Sequence, residues 1–343
     1  MKRCLQLAKN GLGTTYPNPM VGSVIVHDDR IIGEGWHLKA GEPHAEVNAV
    51  NSVKNPELLK NATIYVSLEP CSHYGKTPPC SDLIIAKGIK KVVVGTVDPF
   101  AEVAGRGIKK LLDTGHEVIV GILDKECQEI NKRFFTFHQK KRPYIILKWA
   151  ESADGFIAPS PETRDNKEPV WITNTYSKQL VHKWRAEEQA ILVGTQTALA
   201  DNPGLTTRDW AGCSPTRIVL DRKNTLPRNL KIFNNDAPTI VFTEAESKEE
   251  DNVKFVQIDF GSSLIDQILE KLYENGLQSL IVEGGAKTLQ SFIDANLWDE
   301  ARIFKGESVF KTGISAPVLN TTKQDVRFIL KDTLTTVVNE QKS

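Results

Sequence analysis

His44-Ala45-Glu46-Val47-Asn48-Ala49, then Leu68-Glu69-Pro70-Cys71 and Pro78-Pro79-Cys80, decide how the first half of this chain is read. His44, Cys71 and Cys80 offer one imidazole and two thiols, three good ligands for a tetrahedral zinc, and leave the fourth position open. Structural zinc sites are closed by four protein ligands, whereas catalytic ones keep three and hold a water. Glu46 is not needed as a ligand; it suits an acid that shuttles protons beside metal-activated water. A closed His44–Cys71–His73–Cys80 cage is the competing reading, and Glu46 is redundant in it.

Zinc nucleobase deaminases carry a His-x-Glu and a Pro-Cys with two residues between their cysteines. Here eight residues separate Cys71 from Cys80. The whole chain of 343 residues is long enough for two domains, each with its own core. Lys plus Arg and Asp plus Glu both number 43, so no net field draws a polynucleotide or an anionic membrane. A small-molecule substrate is expected, with neither nucleic acid nor membrane as partner. No apolar run approaches the length of a bilayer span, and Met1-Lys2-Arg3-Cys4 opens no signal peptide. Five cysteines without framework spacing suit reduced thiols in a cytoplasm. Cys4, Cys127 and Cys213 read as buried or incidental thiols.

Strands and helices alternate in the first half. Residues 21–26 and 30–35 read as a hairpin across Asp28-Asp29, and 44–53 as a helix with His44 and Glu46 in its first turn. A β-rich run over 62–68 leads to Pro70, and Ser81 is a candidate cap for a helix through 87. Further strands are expected at 91–97 and 117–121, and helices at 107–114 and 124–137. The basic stretch Gln139-Lys140-Lys141-Arg142-Pro143 reads as a solvated linker. It separates a deaminase domain over 1–140 from a second α/β domain over 143–343. Strands of the second domain are expected at 144–148, 190–193, 216–220, 239–242 and 279–282, with a last alternating segment over 326–338. Val282-Glu283-Gly284-Gly285 runs a strand into a glycine pair and a helix, where backbone N–H groups favour a phosphate; a plain tight turn is the alternative. Asn18, in Pro17-Asn18-Pro19-Met20-Val21-Gly22, sits on a rigid turn where it can read a base edge; a plain turn asparagine is the equal alternative.

The block His44 to Ala49, the loop Leu68-Glu69-Pro70-Cys71-Ser72-His73-Tyr74-Gly75-Lys76-Thr77-Pro78-Pro79-Cys80, the turn Asn18 to Gly22 and Val103-Ala104-Gly105-Arg106-Gly107 resemble the bifunctional pyrimidine deaminase/reductases of riboflavin biosynthesis. Trp171-Ile172-Thr173, Trp184-Arg185-Ala186, the run from Gly194 to Arg208 and Arg217-Ile218-Val219-Leu220-Asp221-Arg222 continue the resemblance over nearly the whole chain. It implies an α/β architecture, a cytidine-deaminase-like three-layer domain followed by a dihydrofolate-reductase-like domain. It also implies zinc and NADPH as cofactors. By the same resemblance, His73 and Lys76 contact a phosphorylated pyrimidine, Lys76 standing where an arginine is more usual. Ala150, Trp171, Thr197, Asp201, Arg222, Gly285, Ala286 and Lys287 meet NADPH, while Arg185, Leu205, Arg208 and Glu283 meet the substrate. Lys148, Asp154 and Glu283 are candidate proton donors for hydride transfer to the ribose C1′. The resemblance further implies a homodimer through the reductase half. Residues 156–170 form a longer loop, richer in proline and charge, than it leads one to expect, and Pro169 stands where a serine is usual.

The expected function is hydrolytic deamination of a ribosylaminopyrimidine phosphate followed by NADPH reduction of its ribosyl chain. A deaminase of another base, nucleotide or tRNA with a non-reductase second domain is the alternative. A zinc-stabilised interaction protein is a third, and it has no use for Glu46.

Overall fold

The computed structural model describes residues 1–74, 78–100, 104–160, 162, 170–321 and 323–340. The chain divides into two compact units, Met1–Lys141 and Arg142–Ser343.

In the first unit, strands β1 (Gly22–His27), β2 (Arg30–Trp36), β3 (Thr63–Leu68), β4 (Lys91–Thr96) and β5 (Glu117–Val120) form a sheet in the order β2-β1-β3-β4-β5. Period-two alternation sends successive side chains to opposite faces. Ile25, Ile64, Val66, Val92 and Val94 pack with Ala49, Val50, Ile84 and Leu111 on one face. Val24 packs with Cys4 and Leu7 on the other. Helices therefore cover both faces: α2 (Ala45–Asn51), α3 (Cys80–Ala86) and α4 (Arg106–Asp113) on the first, α1 (Lys2–Ala8) on the second. A Cβ at Gly33 would lie 2.5 Å from the Ala49 carbonyl oxygen, so glycine there lets α2 lie directly on the sheet. The helix expected over 124–137 is two, α5 (Asp124–Ile130) and α6 (Lys132–Lys140). Asn131 interrupts it because its side chain accepts from the Met20 N–H at 2.8 Å and donates to the Met20 carbonyl at 2.9 Å. Ser81 does not cap α3; Pro79 holds that place and Ser81 is buried within the helix.

In the second unit, strands β6 (Tyr144–Glu151), β8 (Ala190–Gly194), β9 (Thr216–Leu220), β10 (Thr239–Thr243), β11 (Lys248–Glu250), β12 (Val253–Gln257), β13 (Ser279–Gly284), β14 (Glu300–Lys305), β16 (Asp325–Ile329) and β17 (Asp332–Val338) join one sheet. Their order is β11-β12-β10-β9-β8-β13-β6-β14-β17-β16, and β7 (Phe156–Pro159) pairs separately with β15 (Gly313–Ser315). From β12 to β14 the neighbours run parallel. Ile145, Leu147, Ile218 and Val282 face α9 (Leu264–Glu274) and α10 (Ala286–Asp294). Ile146, Ile191, Val219 and Ile281 face α7 (Thr175–Glu187) and α8 (Thr195–Asp201). The alternating segment over 326–338 is two strands turned at Leu330, whose φ is 55°. Of the long loop over 156–170, most residues, Pro169 among them, lie outside the described set.

The linker reading fails at Arg142. Its guanidinium is buried and grips Asp299 with two bonds of 2.5 and 2.7 Å, and Asp299 also accepts the Ile145 N–H. A basic run looks solvated until its partner, 157 residues later, is brought against it.

Candidate active sites

The carboxyl end of β3 and the starts of two helices converge in the first unit. His44 is the N-cap of α2, Cys80 the first residue of α3, and Cys71 follows β3. Their ligand atoms lie within 4.8 Å of one another. His44 Nδ1 is 3.6 Å from Cys71 Sγ and 3.4 Å from Cys80 Sγ. A tetrahedral zinc with its usual bond lengths spaces neighbouring N and S ligands about 3.5 Å apart, so the donor set fits the metal. His73 is exposed and stands outside this cluster, which disfavours the closed four-ligand cage. The Cys80 thiol, then His44 and the Cys80 backbone N–H at 3.2 Å, hold Cys71 as a thiolate, against the effect of its burial. Cys80 is shifted the opposite way by Cys71 and by burial.

Glu46 lies in the first turn of α2, 3% exposed. Burial, then the Cys71 charge, pushes its carboxyl up to about 7. A carboxyl poised near neutrality both accepts and returns a proton. Asn18 is tied to the cluster through a residue that the motifs did not mark. Its Nδ2 donates to His37 Nε2 at 3.1 Å, His37 Nδ1 faces the Pro43 carbonyl at 3.2 Å, and the His37 ring packs edge-on against His44 at 5.3 Å. Asp98, raised to about 6 chiefly by burial, feels the charges of Glu69, His73 and Cys71. Lys76 lies outside the described residues.

Glu69 is a second residue of this site to which the sequence attaches no role. Its carboxylate accepts the backbone N–H groups of Gly105 and Gly107 at 2.9 Å, and of Asp98 and Ile108 at 3.3 Å. This clamps the start of α4 against the Cys71 loop. A Cβ at Gly107 would fall 2.0 Å from the Pro70 carbonyl oxygen. The nearby glycines were the sequence signal for this close approach.

In the second unit Lys148 on β6 and Glu283 on β13 occupy adjacent parallel strands, one residue past the Leu147–Val282 pair. Arg185 of α7 reaches Glu283 at 2.8 Å and donates to the Thr206 carbonyl at 3.3 Å. Burial would raise Glu283, but Arg185 and Lys148 outweigh it and bring its carboxyl to about 2. Burial depresses Lys148. Leu205 is buried at φ 54°, and Arg208 donates through Nη1 to Thr206 Oγ1 at 3.4 Å.

Asp154 does not fit the role of proton donor. Its oxygens accept Ser152 Oγ and the Phe310 and Lys311 N–H groups, which lower its pKa and make it a loop anchor.

Strands β8 and β13 lie side by side and each runs through a glycine into a helix, the arrangement that opens a crevice at the carboxyl edge of a parallel sheet. A Cβ at Gly285 would lie 3.1 Å from Thr197 Oγ1, and one at Gly194 would lie 2.7 Å from Thr288 Oγ1. This narrow cradle, with Gly285 capping α10 ahead of Ala286 and Lys287, fits a dinucleotide phosphate. Asp201 closes α8, and Ala150 pairs with Phe304 across β6 and β14. Trp171 is exposed with Lys178 Nζ 4.1 Å from its ring centre, and Arg222 pairs with Glu244 at 2.9 Å.

The family model described as the RibD C-terminal domain matches residues 143–307, and that of the cytidine and deoxycytidylate deaminase zinc-binding region matches residues 1–96. The riboflavin biosynthesis protein RibD of Aquifex aeolicus is 43% identical, over 92% of this chain and 88% of its own length. RibD of Escherichia coli is 37% identical over 89% and 86%. The crystal structure of a diaminohydroxyphosphoribosylaminopyrimidine deaminase/5-amino-6-(5-phosphoribosylamino)uracil reductase from Thermotoga maritima superimposes with a TM-score of 0.87 at 40% identity, covering 98% of this chain and 96% of that one. The two units thus have the expected cytidine-deaminase-like and dihydrofolate-reductase-like folds. With this similarity running the length of both chains, the protein belongs to the RibD family of riboflavin biosynthesis proteins.

Proposed function

We propose that the protein carries out two consecutive steps of riboflavin biosynthesis. The first is hydrolytic deamination of 2,5-diamino-6-(5-phosphoribosylamino)pyrimidin-4(3H)-one. The second is NADPH reduction of the ribosyl chain, giving 5-amino-6-(5-phosphoribitylamino)uracil. The observation that carries this reading is the three-donor cluster beside buried Glu46, in a chain whose second unit sets Arg185, Glu283 and Lys148 together.

His44 Nδ1, Cys71 Sγ and Cys80 Sγ hold zinc in this reading. Zinc, when bound, supplies the Lewis acidity that makes water a nucleophile at neutral pH. Glu46 takes one proton from the attacking water and gives it to the ring nitrogen. It then takes the second from the added hydroxyl and gives it to the amino group, which leaves as ammonia while the carbonyl forms. Asn18 holds the base edge, and His73 and Lys76 serve the phosphate side. NADPH, when bound, supplies the hydride. Ala150, Trp171, Thr197, Asp201, Arg222 and the turn of Gly285, Ala286 and Lys287 hold it. Arg185, Leu205, Arg208 and Glu283 hold the ribose phosphate. Glu283 is ionised at neutral pH and cannot donate, so Lys148 gives the proton that accompanies the hydride. Stripping the metal should abolish ammonia release while NADPH oxidation with the deaminated substrate continues. Ammonia release that survives chelation overturns the zinc assignment, and absence of NADPH oxidation in the metal-loaded protein overturns the second step.

A deaminase domain over 1–140 and a reductase domain over 143–343 are supported by the compact units Met1–Lys141 and Arg142–Ser343. A reducing cytoplasm suits cysteines that form no disulfide among the described residues. No helix among the described residues is long and apolar enough to cross a membrane. The partner in this reading is a second copy, docked through the reductase half. Val326, Phe328 and Leu330 alternate along and just beyond edge strand β16, with Phe328 78% and Leu330 70% exposed. Such an edge is a liability unless something covers it. Phe328→Lys should turn a dimer into a monomer in light scattering; a dimer that persists unchanged removes this surface from consideration.

A further inference from the structure

We propose that His182 is a positioning residue of the second site, anchoring residues 204–209 so that Arg208 faces the phosphate of the substrate. This rests on the reductase reading above but concerns a residue that no motif marked. His182 is 2% exposed on α7, three residues before Arg185. Its ring spends both nitrogens on one segment. Nδ1 accepts the backbone N–H of Arg208 at 3.1 Å, and Nε2 stands 3.4 Å from the Asp209 carboxylate. Burial and then the Arg185 charge hold the imidazole neutral, with its pKa lowered to about 4. A neutral ring that accepts at Nδ1 carries its proton on Nε2, facing Asp209.

From the same helix Arg185 binds the Thr206 carbonyl. One face of α7 therefore grips the segment at Thr206, Arg208 and Asp209. The segment needs gripping. Leu205 sits at φ 54°, a region that a branched-chain residue rarely enters unless its surroundings enforce it, and such residues cluster at functional sites. Arg185 is committed to Glu283, whereas Arg208 makes no ion pair with an acid among the described residues. Its exposed guanidinium is thus the one the segment presents to an anion, and planar guanidinium donors match a phosphate. A histidine that only filled the core would not need both ring nitrogens aimed at this loop.

The test compares zinc-loaded wild type with His182→Leu and His182→Asn. Asparagine places an acceptor oxygen near the Nδ1 position, and leucine fills the space without one. For His182→Leu we expect faster amide exchange in residues 204–209 and a KM for the deaminated substrate raised about tenfold, the cost of one lost hydrogen bond. The kcat and the NADPH affinity should hold, and His182→Asn should restore most of the KM. Unchanged exchange in His182→Leu overturns the inference. So does a fall in kcat at constant KM, or an equal loss of NADPH affinity. If wild type does not turn over the substrate, the reductase reading fails on its own. Inorganic phosphate then serves as probe: protection of 204–209 by phosphate in wild type and not in His182→Leu supports the anchor, and equal behaviour overturns it. If His182→Leu does not fold, His182→Gln, whose amide reaches the Nε2 position instead, replaces it in every comparison.

Discussion

Glu46→Gln is expected to lower ammonia release about 10²- to 10⁴-fold, the usual worth of a positioned general acid and base, while zinc stays bound. Glutamine has nearly the volume of glutamate and keeps α2 seated, because the ligands His44, Cys71 and Cys80 are untouched. What it loses is a proton that can be taken up and returned. Burial, and after it the Cys71 charge, raises the carboxyl to about 7, so one group does both tasks at neutral pH. The measurement is ammonia release alongside metal content. Loss of both together would make Glu46 a support for the metal, and unchanged release would remove it from the chemistry. NADPH oxidation with the deaminated substrate should be unaffected.

Lys148→Met should reduce NADPH oxidation by a similar 10²- to 10⁴-fold and leave ammonia release intact. Met keeps the length of the side chain and removes the proton. Glu283 retains Arg185 at 2.8 Å, so the variant is expected to fold. The pH profile adds a second readout. Burial lowers the ammonium from the ordinary 10.5, and the protonated form is the donor. Reduction in wild type should therefore fall as pH rises through that lowered value, on a limb lying below the range of a free lysine. The limb should be missing in Lys148→Met. A variant that keeps both rate and limb returns the proton donor to another group.

Much of the first site was legible because its chemistry is local in sequence. His44 and Glu46 share one helical turn, and the Cys71–Cys80 loop is short, so ligand type and spacing carry the reading. The residues that hold this cluster were not legible. Glu69 looks like any acid before a proline until four N–H groups from residues 98–108 are folded onto it. His37 is an isolated histidine until Asn18 and His44 meet it. The same gap explains Arg142 and Asn131, read as a solvated cation and as a helix-interior residue. Each is defined by a partner more than a hundred residues away. In the second half, local pattern found the strands near 144, 190, 216, 239 and 279 but neither β12 nor β14, nor that β13 inserts between β8 and β6, which sets Glu283 beside Lys148.

The sequence by itself determined which atoms can bind a metal, which acid stands beside them, and many of the strands and helices, because ligand identity and side-chain periodicity are properties of neighbouring residues. Only the tertiary structure decided the electrostatics. It made Glu46 a carboxyl near neutrality, Glu283 a permanent anion and His182 a neutral acceptor, because burial and the nearest charge fix a proton affinity, and both come from residues distant in the chain.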